Sequence, residues 1–234
     1  ISDDNGVQDN PTVAFSDDGY VVAWQEAGNI GGARVSSDGA TTALGNIAAT
    51  GASETLPRLS SRGATALLVY QSATDVRGAV FNGLTFGATF SIASSAASEL
   101  EPAVAANPDG DYLVTWTEGT TAPDLRGRLV TAGGAPNGAA FAISAAPGGQ
   151  LQSAAAFAGG NFNVVFANNR AGLDIYGTRV SPTGVVLDSR TEGTATVGGV
   201  PVSTGPSSQN QPDIACSDVG CLVAWTDRRN LLAN

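Results

Sequence analysis

The chain has 234 residues, 42% of them hydrophobic, and a formal net charge of -10; its basic residues are all arginine, and lysine, histidine and methionine are absent. This excludes a basic surface for nucleic acid or an anionic membrane, along with Ser-His-Asp triads, histidine-ligated zinc and lysine Schiff bases. Carboxylate acid–base chemistry and an oxygen-ligated calcium site stay open, and no apolar run approaches the roughly 18–20 residues of a membrane span.

The first residues carry no signal-like apolar segment, and the chain opens on Ile1, which reads as a processed mature chain or an excised piece of a longer one. Its richness in alanine and arginine points to a high-GC bacterial coding sequence. Residues 11–15, Pro-Thr-Val-Ala-Phe, predict a first strand, with proline at the strand's first residue, where a missing donor costs least. The turn at residues 16–19 leads into a second strand at 19–24, apolar on both faces and therefore expected between two layers. A third strand covers 29–35, with an internal glycine that suggests a bulge or an aromatic packed on the backbone. A fourth ends on Ile47.

This sequence of signals then recurs. First strands begin again at Pro57, Pro102, Ser153 and Pro212, and second strands end on aromatics at Trp24, Tyr70, Trp116, Phe166 and Trp225. Third strands follow Asp75-Val76-Arg77-Gly78, Asp124-Leu125-Arg126-Gly127 and Asp174-Ile175-Tyr176-Gly177, and fourth strands end on Ile92, Ile143 and Val202. Four short antiparallel strands per unit, at a period in the mid-forties, define an all-β fold, a β-propeller of four-stranded blades. The expected organisation is one domain over 1–234, with repeats at about 11–56, 57–101, 102–152 and 153–211 and a partial repeat at 212–234. Residues 1–10 would complete that last blade and close a five-bladed ring; the alternative is an arc of a larger propeller, whose exposed edges would favour self-association.

Cys216 and Cys221 replace pairs such as Phe157 and Phe162 that face each other across the first hairpin of a repeat, which predicts a structural disulfide in an exported protein. The arginines of the third strand, Arg34, Arg77, Arg126, Arg128 and Arg179, recur in register and read as solvated blade edges paired with acids. Candidate ligand-binding residues gather in the loops between second and third strands. They are Glu26, Asn29, Asp75, Glu118, Asp124, Asn168, Asp174 and Asp227, and the same face would also collect Glu54, Glu99, Glu101 and Gln152. Repeated polar loops on one rim can bind a glycan or a divalent cation, while an Asp or Asn before a strand also simply caps a turn. No cofactor is expected beyond calcium, the one ion such oxygen ligands would suit.

Residues 174–188, with Trp225-Thr226-Asp227-Arg228-Arg229, resemble a repeat of large secreted proteins of high-GC bacteria, in which a Tyr-Leu-Val-x-Trp strand precedes Asp-Arg-Arg and an Asp-Ile-Tyr-Gly element. The resemblance implies extracellular or surface-attached propellers, mostly without a defined activity, and it supplies no catalytic residue. The expectation is therefore a secreted or cell-surface module without enzymatic activity, binding a glycan (lectin-like) or a protein, or serving as scaffold. The alternatives are a glycan hydrolase or lyase working through carboxylates, and a structural subunit of a larger extracellular assembly.

Overall fold

The computed structural model describes residues 6–17, 19–170 and 172–229, and among them no helix occurs. Blade one consists of β1 (Gln8–Ser16), β2 (Gly19–Glu26), β3 (Asn29–Ser36) and β4 (Thr41–Ala48). Blade two holds β5 (Glu54–Arg62), β6 (Thr65–Ser72), β7 (Asp75–Phe81) and β8 (Phe90–Ala93). Blade three holds β9 (Glu99–Ala106), β10 (Tyr112–Glu118), β11 (Asp124–Val130) and β12 (Pro136–Ser144). Blade four is formed by β13 (Gln150–Ala158), β14 (Asn161–Asn168), β15 (Asp174–Val180) and β18 (Val200–Ser203), with a hairpin of β16 (Ser189–Glu192) and β17 (Ala195–Gly198) inserted before its last strand. The fifth blade is represented by β19 (Gln209–Ser217) and β20 (Gly220–Asp227), paired antiparallel. The fold is a five-bladed β-propeller. Of the segment expected to complete the last blade, residues 1–10, the first five lie outside the described residues, and residues 8–10 are corrected to blade one, where they begin β1 and pair with β2 because the strand starts before its bulge.

Strand by strand, each blade is a meander, and the first strands β1, β5, β9, β13 and β19 follow one another around the axis. Those strands begin three residues before the proline position, so proline is not the first residue of its strand as expected. A bulge accounts for this. The ladder skips a pair between Asp9 and Thr12, Thr55 and Arg58, Leu151 and Ala154, and Asn210 and Asp213. The residue before the proline position adopts a left-handed conformation in every blade: Asn10 (φ 49), Leu56 (φ 52), Glu101 (φ 52), Gln152 (φ 53) and Gln211 (φ 52). The bulge removes the proline from the ladder, where its missing N–H would leave a carbonyl unpaired.

The third-strand glycine has a similarly local cause. A Cβ at Gly127 would lie 2.8 Å from Ile143 Cδ1, one at Gly78 2.9 Å from Ile92 Cδ1, and one at Gly177 3.2 Å from Val202 Cγ2. In blade one the corresponding Gly32 faces Ile47, and its neighbour Gly31 lies against the Trp24 ring. Thus the glycine and the aliphatic that ends the fourth strand, two separate marks of the repeat, are packing partners.

The core lies between blades. Leu67, Val69, Val76 and Ile92 of blade two pack against Tyr112, Val114 and Trp116 of blade three. Leu113, Leu125, Leu129 and Ile143 of blade three pack against Phe162, Val164 and Phe166 of blade four. Both faces of β6, β10 and β14 are covered, as the apolar runs predicted. In blade one only the face of Val21 and Ala23 is buried, while Tyr20 is 48% exposed and β20 is largely open.

Candidate functional site in the axial cavity

The bulged first strands surround a cavity of about 810 Å³ on the propeller axis, and all five blades contribute to its wall. Its charged groups are Asp9 from blade one, Arg58 from blade two, Glu101 from blade three and Asp213 from blade five. Asn10, Gln152 and Gln211 add amides, and Pro11, Pro102 and Pro212 form stiff apolar stretches between them. Among the described residues no aromatic ring lines it.

The positions around the bulge are where the repeats differ in chemistry, and their backbone is costly. A left-handed conformation costs an ordinary residue roughly 1–2 kcal/mol, and here five non-glycine residues adopt it, one per blade. Retained backbone strain of this kind clusters at functional sites. The conformation is held by bonds within blades and by two that cross from one blade to the next. Glu101 Oε2 accepts the Gln152 N–H at 3.0 Å and the Thr117 hydroxyl at 3.4 Å. Gln152 Oε1 in turn accepts the Gln211 N–H at 2.9 Å. Asp213 and Asp9 each use Oδ1 to accept the N–H of the following residue, both at 2.8 Å.

Arg58 donates one bond, from Nη1 to the Pro57 carbonyl at 2.9 Å. The residue is exposed, yet the surrounding protein partly desolvates the guanidinium and pulls its pKa below the ordinary arginine value. The charges of Asp213 and then Glu101 oppose that pull. A smaller cavity of about 370 Å³ continues from this one, sharing Arg58, Ser153, Ala154 and Asp213 and bounded otherwise by alanines such as Ala103 and Ala155 together with Leu59, Phe157 and Ile214.

The eight residues singled out in the loops after the second strands stand elsewhere, and none of them lines the axial cavity. Glu26 ends β2 and accepts the Trp24 indole N–H at 3.0 Å, with Asn29 opposite it in the ladder. Asp75 begins β7 opposite Ser72. Glu118 ends β10, 3.4 Å from the Arg126 Nε, and Asp124 opposite it has its pKa raised by burial and partly lowered by Arg126. Asn168 is fully buried, with Asp174 as its ladder partner. Asp227 ends β20 and pairs with Arg229 at 2.8 Å, a contact that lowers its pKa. Each residue is thus tied to its own blade. Among the described residues no group of three or more Asp, Glu, Cys or His is arranged to hold a metal ion.

Glu54, Glu99 and Gln150 begin first strands, are fully buried, and tie down the loop behind them. Glu99 accepts the Ser95 N–H at 2.8 Å, and Gln150 accepts the Ala146 N–H at 3.1 Å while returning a bond to the Ala146 carbonyl at 2.9 Å. The third-strand arginines are partly paired as expected: Arg179 meets Asp188 at 2.7 Å, whereas Arg128 reaches across to the Ile92 carbonyl at 2.8 Å. Cys216 and Cys221 form the expected disulfide, and no helix among the described residues is long and apolar enough to cross a membrane.

Glu101 was within the reach of the sequence reading, placed on this face with Gln152. Arg58, Asp9 and Asp213 were missed. The available signal was divergence within the repeat: the position after the proline is Thr12, Arg58, Ala103, Ala154 and Asp213 in successive blades.

A propeller with ionisable groups converging on its axis defines the class of protein. No protein-family model matches the sequence, and no curated protein matches it. Solved structures do share its fold. An endo-arabinase from Bacteroides thetaiotaomicron aligns with a TM-score of 0.59 at 10% identity, over 96% of this chain and 91% of its own. A Bacillus subtilis arabinanase aligns at 0.55 and 11% identity, over 97% and 91%. An exo-1,5-alpha-L-arabinanase from a bovine ruminal metagenomic library gives 0.54 and 11%, over 99% and 91%. The expectation of a module without enzymatic activity is corrected by this comparison. The like-folded structures are glycoside hydrolases, and the axial cavity holds the type of side chain, the carboxylate, on which glycoside hydrolysis depends.

Proposed function

We propose that this chain is a glycan-active hydrolase working in the axial cavity, with Glu101 and Asp213 as its principal carboxylates and Asp9 as a third acidic group. The observation that carries the reading is the convergence of these groups, from three separate blades, on a cavity of about 810 Å³. Hydrolysis of a glycosidic bond requires one carboxyl to protonate the leaving oxygen and another to activate water or attack the sugar. With histidine, lysine and aromatic side chains absent from the lining, the carboxylates are the groups suited to both tasks.

Glu101 is the fixed member, because two donors hold one of its oxygens in place and leave the other directed to its surroundings. The amides of Asn10, Gln152 and Gln211, together with Arg58, offer the hydrogen-bonding groups that a hydroxyl-rich substrate needs. In the absence of an aromatic platform, sugar recognition would rest on these bonds. The disulfide and the repeat resemblance support action outside the cell.

The test is release of reducing ends from a panel of polysaccharides that includes arabinan, xylan and xyloglucan. Wild-type protein is expected to release sugar from at least one, and Glu101→Gln and Asp213→Asn each to lose about 10²–10⁴-fold in kcat while staying folded, with Tm shifted by no more than a few degrees. No release from any polymer would overturn the reading. Activity that survives both substitutions would remove the site from this cavity.

A further inference from the structure

The axial cavity does not end at its carboxylates. In blade three the main cavity is lined at Glu101 and Pro102, and the smaller one from Ala103 to Ala106. The smaller cavity also reaches Phe157 of blade four and Cys216 of blade five. Ala106 is the last residue of β9, and Phe157 and Cys216 are the last but one of β13 and β19. At about 3.3 Å per residue, the two cavities together follow the first strands for roughly 16 Å, from the bulge towards the turn of the first hairpin.

The chemistry changes along that path. Arg58, Ser153, Ala154 and Asp213 form the junction, and among the described residues no charged side chain lines the smaller cavity beyond them. Its serines are committed to the protein. Ser60 Oγ accepts the Ala106 N–H at 2.9 Å, and the Ser153 and Thr115 hydroxyls bond each other at 2.8 Å. A sugar would find few groups there to hold it, so this stretch suits the transit of a small molecule rather than its retention.

We propose that the smaller cavity is a rear passage that carries water to the carboxylates while a glycan occupies the main cavity. The proposal rests on the hydrolytic reading above. Each turnover consumes one water: its oxygen bonds the anomeric carbon as the glycosidic bond breaks, one of its protons passes to a carboxylate, and the leaving oxygen takes a proton from another. A bound glycan displaces water from the main cavity, so the reacting molecule needs a second way in. Water arriving along the first strands meets Asp213 at the junction, whereas Glu101 lines the main cavity alone.

Cys216 supplies a reversible plug for this passage. The chain has two cysteines, so Cys221→Ser leaves Cys216 as its single thiol. Methyl and benzyl methanethiosulfonate attach to it as mixed disulfides, and dithiothreitol removes them. On a polysaccharide that the wild type hydrolyses, the benzyl adduct is expected to lower kcat about tenfold relative to the unmodified variant, with KM within about twofold. The methyl adduct should do less, and dithiothreitol should restore the rate. Ala156→Leu in the otherwise native chain, at a half-buried position that lines the smaller cavity alone, should lower kcat with the same unchanged KM. Full modification with no loss of kcat, or a loss matched by a rise in KM, would overturn the passage. An inactive wild type would instead overturn the hydrolytic reading, so the two failures are told apart by the unmodified chain.

Discussion

The carboxylate of Glu101 accepts the backbone N–H of Gln152 at 3.0 Å, so that a charged side chain of blade three fixes the main chain of blade four at the axis. Glu101 therefore has two separable duties: its oxygen is an acceptor that orders the cavity wall, and its charge is available for chemistry. Glu101→Gln retains an acceptor oxygen and should change stability by under about 1 kcal/mol, whereas Glu101→Ala strands the Gln152 N–H and should cost about 1–3 kcal/mol. Denaturant unfolding of the two variants checks this, and equal stabilities would show that the bond does not order the wall.

Buried Glu99 illustrates a mismatch between copies. Its Oε1 binds the Ser95 N–H, but its Oε2 has no partner. Gln150, at the same place in the next blade, uses an amide to bond both the N–H and the carbonyl of Ala146. Glu99→Gln should supply the missing donor and raise stability by about 1 kcal/mol. A lower Tm in the variant would mean that the carboxylate has a partner of its own.

Gly127→Ala should destabilise by about 1–3 kcal/mol through overpacking, because the added methyl would lie 2.8 Å from Ile143 Cδ1. Ile143→Val removes that methyl carbon, so the double variant should recover part of the loss. A double-mutant cycle in urea measures the coupling, and strict additivity would refute the contact as the reason for the glycine.

Asp124 gives a pH signature. Burial raises its pKa in the fold above the ordinary 3.8. A carboxyl raised in this way contributes stability below its ordinary value and loses that contribution as pH rises through the folded one. Asp124→Asn should therefore unfold at a higher temperature than wild type at pH 7, with the difference shrinking as pH falls towards 3.8. Tm measured from pH 3 to 7 tests the sign; a gap that widens on acidification would contradict it.

The bridge between Cys216 and Cys221 closes a small loop, and replacing both with Ser should cost about 2 kcal/mol on the loop-entropy model. Reduction of the wild type should lower its unfolding free energy by the same amount, and unchanged stability in both experiments would count against the bridge as a stabilising element.

The repeat was legible because packing is repetitive. Trp116 and Phe166 mark the second strand, and Gly127 and Ile143 mark a contact that recurs in blades one to four, so each left a periodic trace. The cavity was not, because a site shared by five blades needs different groups from each. Arg58 and Asp213 occupy one repeat position but carry opposite charges, and such a position shows no periodicity to find. The bulge was hidden for another reason. Proline at residue 11 is compatible with a strand's first residue and with a bulge, and the left-handed residue before it is Asn, Leu, Glu or Gln, none of which signals that conformation as glycine would. The rim residues were conspicuous because Asp and Asn recur at the start of each third strand, where the ladder pairs them with the last residue of the second.

The inserted hairpin of blade four lies against β12 of blade three, and the Ala145 N–H donates to the Thr196 carbonyl at 2.7 Å. Outer strands of propeller blades are the parts of the fold most prone to pair with other molecules, and β12 is among the longest of them here, at nine residues. The hairpin shields that margin from intermolecular sheet growth. A chain lacking residues 189–198 should keep its axial cavity but self-associate along the flank of its third blade.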